Sequence, residues 1–161
     1  MFNLRGVVKY FLFDPSDSNI VYANSIALFK SADRGQTWKL LYPDSSEISG
    51  IVSKGDHADE LLITKDSTTR YVSALAIDPV NSKKLYAVIR IDSSTGFYFS
   101  ENAGASWVKQ KDVEGEVQHI YIDPFSSLSN RTIYLAGRSG ITLRKEGRWS
   151  INSVPAGVKY F

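Results

Sequence analysis

The chain has 161 residues, 43% of them hydrophobic and 12% aromatic, with a formal net charge of +2. That is enough for a domain with its own core. The near-neutral balance supplies no basic field for nucleic acid. The absence of cysteine removes disulfide frameworks, thiolate chemistry and Cys-based zinc sites. No apolar run approaches the length of about eighteen residues that a membrane helix needs, and Met1 to Tyr10 lacks the charged-then-apolar order of a signal peptide.

In chain order, the first unit opens with the apolar run Val8-Lys9-Tyr10-Phe11-Leu12-Phe13, closed by Asp14-Pro15. Proline lacks an N–H and constrains the residue before it, so the run ends there as a strand. A second run, Ile20-Val21-Tyr22-Ala23, and a third, Ala27-Leu28-Phe29-Lys30, follow, and Trp38 starts a fourth. The polar stretch 44–70 comes next. Its two short apolar runs, Ile48-Ser49-Gly50-Ile51-Val52 and Leu61-Leu62-Ile63-Thr64, flank Lys54-Gly55-Asp56-His57-Ala58-Asp59 and predict an added hairpin. Its composition marks it as an appendage whose deletion should leave stability nearly unchanged.

The four-run pattern then restarts twice. Val72 to Pro79 and Val117 to Pro124 again end in Asp-Pro; Leu85-Tyr86-Ala87-Val88 and Ile133-Tyr134-Leu135-Ala136 supply the second runs; Phe97-Tyr98-Phe99 and Ile141-Thr142-Leu143-Arg144 supply the third. Trp107 and Trp149 open the fourth. Four short strands joined by turns make one blade of a β-propeller. The predicted fold is therefore all-β, with blade 1 over about 7–43, an insert over 44–70, blade 2 over about 71–111 and blade 3 over about 116–153. Val158-Lys159-Tyr160-Phe161 repeats Val8-Lys9-Tyr10-Phe11, which predicts the first strand of a fourth blade over 157–161. Propellers close with about 4–8 blades, so the remaining blades are expected from a longer chain or from a second copy.

One octapeptide punctuates the repeats. Ser31-Ala32-Asp33-Arg34-Gly35-Gln36-Thr37-Trp38 fits Ser-x-Asp-x-Gly-x-Thr-Trp, and Ser100-Glu101-Asn102-Ala103-Gly104-Ala105-Ser106-Trp107 repeats it with Asn for Asp and Ser for Thr. In each, the Asp or Asn side chain can accept turn N–H groups, glycine can take a positive φ, and the indole can cover the hairpin. The third unit keeps only Arg144-Lys145-Glu146-Gly147-Arg148-Trp149, which predicts a tighter hairpin without an acidic staple. The octapeptide resembles the Asp-box, or BNR repeat, of β-propeller proteins. The resemblance runs from about Val7 to Phe161.

Strand order separates scaffold from site. In a four-stranded meander the first and third turns share one end, while the second turn and the blade-to-blade connection share the other. The Asp-Pro turns and octapeptides therefore belong to one face and the insert to the opposite, loop face. Ser31, Asp33, Gly35, Thr37, Trp38, Ser100, Asn102, Gly104, Ser106 and Trp107 are read as structural. Ligand-binding candidates come from the loop face: Asp56, His57, Asp59, Glu60 and Arg70 in the insert, Asp92 and Arg138 in second-to-third-strand loops, and Glu114 and Glu116 between blades 2 and 3. Asp56-His57-Ala58-Asp59 reads as solvated turn residues, with no metal expected. Lys9, Ser73, Gln118 and Lys159 recur at one position of the first strand and suggest a polar axial lining.

The resemblance implies a family whose members include sialidases, xyloglucan-cleaving endoglucanases, sortilin-type receptors and the photosystem II stability and assembly factor. By that resemblance the protein is expected in a secreted, periplasmic or luminal setting. Two functions follow from it: a scaffold that binds a carbohydrate or a protein through its loop face, or a glycoside hydrolase. The second needs two carboxyl groups on facing blades, or for a sialidase an arginine cluster and a tyrosine nucleophile. No catalytic motif is matched and no cofactor is implied.

Overall fold

The structure is a computed structural model that describes residues 4, 6–54, 59–138 and 140–153. The predicted start of a fourth blade at 157–161 lies outside them. The described residues form three four-stranded antiparallel sheets and one two-stranded ribbon, with no α-helix among them. Blade 1 contains β1 (Tyr10–Phe13), β2 (Val21–Asn24), β3 (Leu28–Ser31) and β4 (Lys39–Tyr42). A single 3-10 turn, Ser45–Glu47, leads into the ribbon of β5 (Ile48–Lys54) and β6 (Asp59–Thr64). Blade 2 contains β7 (Arg70–Ile77), β8 (Leu85–Ile91), β9 (Ser94–Ser100) and β10 (Val108–Asp112). Blade 3 contains β11 (Val117–Ile122), β12 (Ile133–Gly137), β13 (Gly140–Lys145) and β14 (Arg148–Ser153). Each sheet is a meander in chain order, and the first strands of blades 2 and 3 lie side by side as they would at a hub. The architecture is a partial β-propeller.

The period-two alternation of these strands sorts apolar residues onto both faces of every blade. In blade 1, Phe11, Ala23, Phe29 and Leu40 form one cross-strand row, and Tyr10, Asn24, Leu28 and Tyr42 form a row on the other face. The second face packs on blade 2, where Tyr22 and Leu28 meet Val72, Leu75, Leu85 and Ile89. The far face of blade 2 packs on blade 3 in the same way, with Tyr86, Val88 and Phe97 against Ile120, Ile133 and Leu135. Burial pushes the Tyr22 and Tyr86 phenols up to about 12. Each fully buried large side chain in these layers contributes about 1.5–3 kcal/mol.

The ribbon is not the dispensable appendage that its composition suggests. Leu62 is buried against Ala23, Ala27 and Phe29 of blade 1, and Ile48 packs beside it. Leu62 and Ile48 close the loop end of the first blade, so deleting the ribbon would uncover core.

The recurring polar position of the first strand has a specific backbone form. Ser73 and Gln118 are the extra, unpaired residues of bulges, between Val72 and Ala74 on β7 and between Val117 and His119 on β11. A bulge bends its strand and increases local twist. Lys9 precedes β1 and donates its N–H to Asn24 O at 2.8 Å.

The Asp-Pro corners hold more than a stopped strand. Asp14 Oδ1 accepts the N–H groups of Ser16 and Asp17 at 2.8 and 3.1 Å, and Asp78 Oδ1 accepts those of Val80 and Asn81 at 3.0 and 3.1 Å. Asp78 also receives both ends of the Arg131 guanidinium, with Nε to Oδ2 at 2.7 Å and Nη2 to Oδ1 at 2.8 Å. Both side chains are buried, and Arg131 Nη1 donates to the carbonyls of Pro124 and Ser126. Burial alone would raise the Asp78 carboxyl, but Arg131 and the two N–H groups outweigh it and hold it below its ordinary range. This bidentate pair bolts the corner of blade 3 to that of blade 2.

Removing one partner strands the other as an unpaired buried charge. Arg131→Ala is therefore expected to lower stability by about 3–5 kcal/mol, read as a fall in the urea midpoint. Asp78→Ala combined with Arg131→Ala should cost less than the sum of the two single changes.

Candidate functional site

The two octapeptides fold alike. In the first, Ser31 Oγ accepts the N–H of Asp33 at 3.2 Å and of Gly35 at 2.8 Å and donates to Asp33 Oδ1 at 2.7 Å. Asp33 then accepts the N–H of Thr37 at 2.8 Å and its hydroxyl at 2.5 Å. In the second, Asn102 Oδ1 accepts from Ser100 Oγ at 2.9 Å and the Ser106 N–H at 2.8 Å, while its Nδ2 donates to Ser106 Oγ at 2.8 Å. The loop needs positive φ at Gly35 (89°) and Gly104 (87°), and also at Arg34 (60°) and Ala103 (55°), which the sequence did not signal. A Cβ on Gly104 would lie 2.5 Å from Leu41 Cδ2, so this turn is wedged against blade 1. The tryptophans pack: Trp38 lies 6.1 Å from the Phe11 ring, Trp107 joins the layer between blades 1 and 2, and Trp149 meets Phe97 edge-on at 5.4 Å.

Arg34 N–H donates to Asn19 O at 3.0 Å and Ala103 N–H to Lys83 O at 2.8 Å, tying each octapeptide to its own Asp-Pro corner. Blade 3 has the short Glu146-Gly147 turn instead, both residues at positive φ, and there Arg144 Nη1 donates to the equivalent carbonyl, Arg131 O, at 3.0 Å. This end of the molecule is occupied by structural hydrogen bonds.

A small opening of about 140 Å³ lies here beside Lys84, Glu101, Leu128 and Arg144, but the opposite end carries the larger ones. A cleft of about 460 Å³ lies between the segment before β1, the turn after β2, the ribbon and the start of β7. Its walls include Lys9, Ser25, Glu60, Thr69, Arg70 and Tyr71. Lys9 Nζ sits 5.2 Å from the centre of the Tyr71 ring, and the Ser25 hydroxyl is buried without a hydrogen-bond partner among the described residues. Of the sequence candidates, Glu60 and Arg70 line this cleft. Asp56 and His57 lie outside the described residues, and Asp59 is described only as the backbone partner of Lys54. Ser25 and Tyr71 went unremarked in the sequence; an aromatic side chain beside Arg70 at the mouth of a first strand was the available signal.

Arg70 is held internally. Its Nη1 pairs with Glu47 at 3.2 Å and its Nη2 with Asp66 at 2.6 Å. Burial opposes its charge, but Asp66, Tyr42 and Glu47 more than restore it and raise its pKa. The Thr64 and Thr68 hydroxyls, ahead of Arg70, hold Asp66 well below the usual carboxylate range. Asp92 is likewise a fastener: with φ at 51°, it accepts the Thr69 N–H at 2.8 Å and the Thr69 hydroxyl at 2.9 Å.

A second, more open groove of about 500 Å³ runs between blades 2 and 3 and is lined by Arg90, Asp112, Glu114 and Glu116. Glu116 lies 3.6 Å from Arg138 Nε, so two candidates from different loops meet here. Gly137 fixes this loop, since a Cβ there would stand 1.9 Å from Glu116 O. Among the described residues no group of three or more His, Asp and Glu side chains could hold a metal ion, and no helix is long and apolar enough to cross a membrane.

No family model and no curated protein matches the chain. Among solved structures it is similar to an ancestral GH74 enzyme, with 17% identity over 95% of this chain and 25% of that one and a TM-score of 0.50. It is also similar to the GH74 xyloglucanase from Xanthomonas campestris (15% identity, 87% of this chain and 28% of that one, TM-score 0.43). YCF48 from Cyanidioschyzon merolae matches at 14% identity over 94% of this chain and 58% of that one, with a TM-score of 0.39. The chain spans about a quarter of the length of the ancestral GH74 enzyme. That likeness is one of fold, and it agrees with the blade topology: the chain is a β-propeller in part.

Two measurements test this geometry. Hydrogen bonds from the Thr37 hydroxyl, the Thr37 N–H and Ser31 lower the Asp33 carboxyl to about 2, against about 4 for an unfolded chain. A depressed folded value means stability that is present above pH 4 and is lost as pH falls from about 4 toward 2. Urea midpoints across that range should fall less for Asp33→Asn than for the parent, since Asn102 makes the same turn without titrating. Gly137→Ala must displace backbone, so its thermal unfolding should show a loss of about 1–3 kcal/mol.

Proposed function

We propose that this is an Asp-box propeller that binds a carbohydrate or protein ligand through its loop face. One observation carries the reading. The 460 Å³ cleft joins an aromatic ring under an ammonium, a buried hydroxyl without a partner among the described residues and Glu60, whereas the octapeptide turns hydrogen-bond among themselves and the opening beside them is smaller, about 140 Å³. A pocket with an apolar face and a few converging polar groups suits a hydroxyl-rich ring. Several loop-face carboxylates already have partners: Glu47 and Asp66 on Arg70, Asp92 on Thr69, Glu116 on Arg138. That favours binding over acid–base chemistry. By the same resemblance the protein works in a secreted, periplasmic or luminal compartment.

A glycoside hydrolase is the second reading. It is favoured by the groove holding Glu114 and Glu116 and by the fold likeness to a GH74 enzyme. Those two glutamates flank Gly115 on one loop, whereas inverting hydrolysis needs carboxyl groups about 6.5–9.5 Å apart on opposite sides of the bond.

The readings separate in one experiment. Calorimetric titration with xyloglucan oligosaccharides should show binding that Tyr71→Ala weakens at least tenfold, about 1.4 kcal/mol, with no reducing sugar released on prolonged incubation. Turnover abolished by Glu114→Gln would replace binding with hydrolysis. A full-strength interaction in Tyr71→Ala would move the site elsewhere.

A further inference from the structure

The two junctions between blades differ at the octapeptide end. Between blades 1 and 2 the octapeptide of blade 2 fills the wedge: Gly104 is buried there, and a Cβ on it would lie 2.5 Å from Leu41 Cδ2 and 3.2 Å from Leu85 Cδ1. Ile20 packs into the same layer. Between blades 2 and 3 the corresponding turn is the short Glu146-Gly147 hairpin. Arg144 holds the position of Ser100, opposite the first residue of the second strand, and reaches the Arg131 carbonyl. The apolar positions change as well. Lys84 replaces Ile20, since its carbonyl accepts the Asp78 N–H as that of Ile20 accepts the Asp14 N–H. Gln110 replaces Leu41, each three residues after its tryptophan. Gln110 and Ile133, the counterparts of Leu41 and Leu85, both line the pocket of about 140 Å³ that is left.

One wall of this pocket is apolar: Tyr86, Phe97 and Ile133 are buried, and Phe99 packs against them. Two cations stand beside that wall, one from each blade. Lys84 Nζ sits 5.8 Å from the centre of the Phe99 ring and donates to Leu128 O at 3.3 Å, and Arg144 Nη1 donates to Arg131 O at 3.0 Å. Neither has a carboxylate partner among the described residues, and each keeps further N–H donors. Arg131 also lines the pocket, but its charge is spent on Asp78. Against these cations the lining supplies one carboxylate, the exposed Glu101. An apolar cavity of about 150 Å³ takes up benzene, and a lysine or arginine beside it can hold an anion through charge-assisted hydrogen bonds. We infer that this pocket binds a small organic carboxylate with a ring-sized apolar body, the ring against Phe97, Phe99 and Ile133 and the carboxylate on Lys84 and Arg144. The site lies between two blades of this chain, at the opposite end from the loop-face cleft, and is independent of the function assigned to that cleft.

Sodium benzoate is the probe, titrated into the isotope-labelled chain and followed by amide chemical shifts. It should bind with a dissociation constant of about 1 mM, moving the amides of Phe99, Leu128 and Ile133 while those of Ser25 and Tyr71 stay in place. Benzamide keeps the shape without the charge, and acetate keeps the charge without the ring; each should bind about tenfold more weakly or worse. Lys84→Met should weaken benzoate about tenfold, and Lys84→Arg should restore it. No saturable shift with benzoate up to about 20 mM overturns the proposal. So do equal affinities for benzoate and benzamide, shifts scattered over the whole surface, or undiminished binding in Lys84→Met. Should Lys84→Met fail to fold, the three small molecules on the parent chain decide the matter without it.

Discussion

A four-stranded sheet with apolar rows on both faces cannot persist alone in water, and every feature of this chain answers to that constraint. Strands of four to eight residues bury too little to offset their own ordering. Stacking solves this, because each blade supplies half of the dry layer that its neighbour needs. Tyr22 and Leu28 have no core within blade 1; they acquire one from Val72, Leu75 and Leu85. The octapeptides and Asp-Pro corners then work at the rim of these layers, where they satisfy turn N–H groups that would otherwise compete with packing.

Division of labour between the two ends follows. Asp78 with Arg131 fastens the corner of blade 2 to that of blade 3, and Ser31 with Asp33 closes the turn within blade 1. The other end is left to loops of unequal length, and the larger clefts open there. The ribbon belongs to both worlds. Leu62 anchors it to the first blade while Glu60 and Leu61 wall the cleft, so the same two strands that complete a core also shape the opening.

Much of this architecture was legible in the chain because it rests on local chemistry that repeats. Asp-Pro, the Tyr-bearing second run and the octapeptide each act within a few residues, and their recurrence gives blade boundaries without any tertiary knowledge. What stayed hidden depends on neighbours distant in sequence. Arg131 stands in the plain loop Ser129-Asn130-Arg131-Thr132, and only the approach of two corners reveals that it is buried on Asp78. Asp92 looked like a ligand-facing acid, yet its carboxylate is spent on Thr69. Leu62 belongs to a short apolar run inside a polar stretch, and only the approach of blade 1 shows that it completes a core. Of the cleft, Glu60 and Arg70 were visible as polar loop residues; Ser25 and Tyr71 were not, because a small hydroxyl and one more aromatic residue carry no signal until they converge.

The third corner has a broader implication. In two blades a backbone N–H of the octapeptide satisfies the carbonyl before the second strand, and in blade 3 the guanidinium of Arg144 does the same work from a different direction. The fold demands a donor at that point but is indifferent to its ancestry. Tallying signature motifs along such a protein therefore yields only a lower bound on its blades, and the silent ones are to be sought where a long cationic side chain stands in for the missing loop.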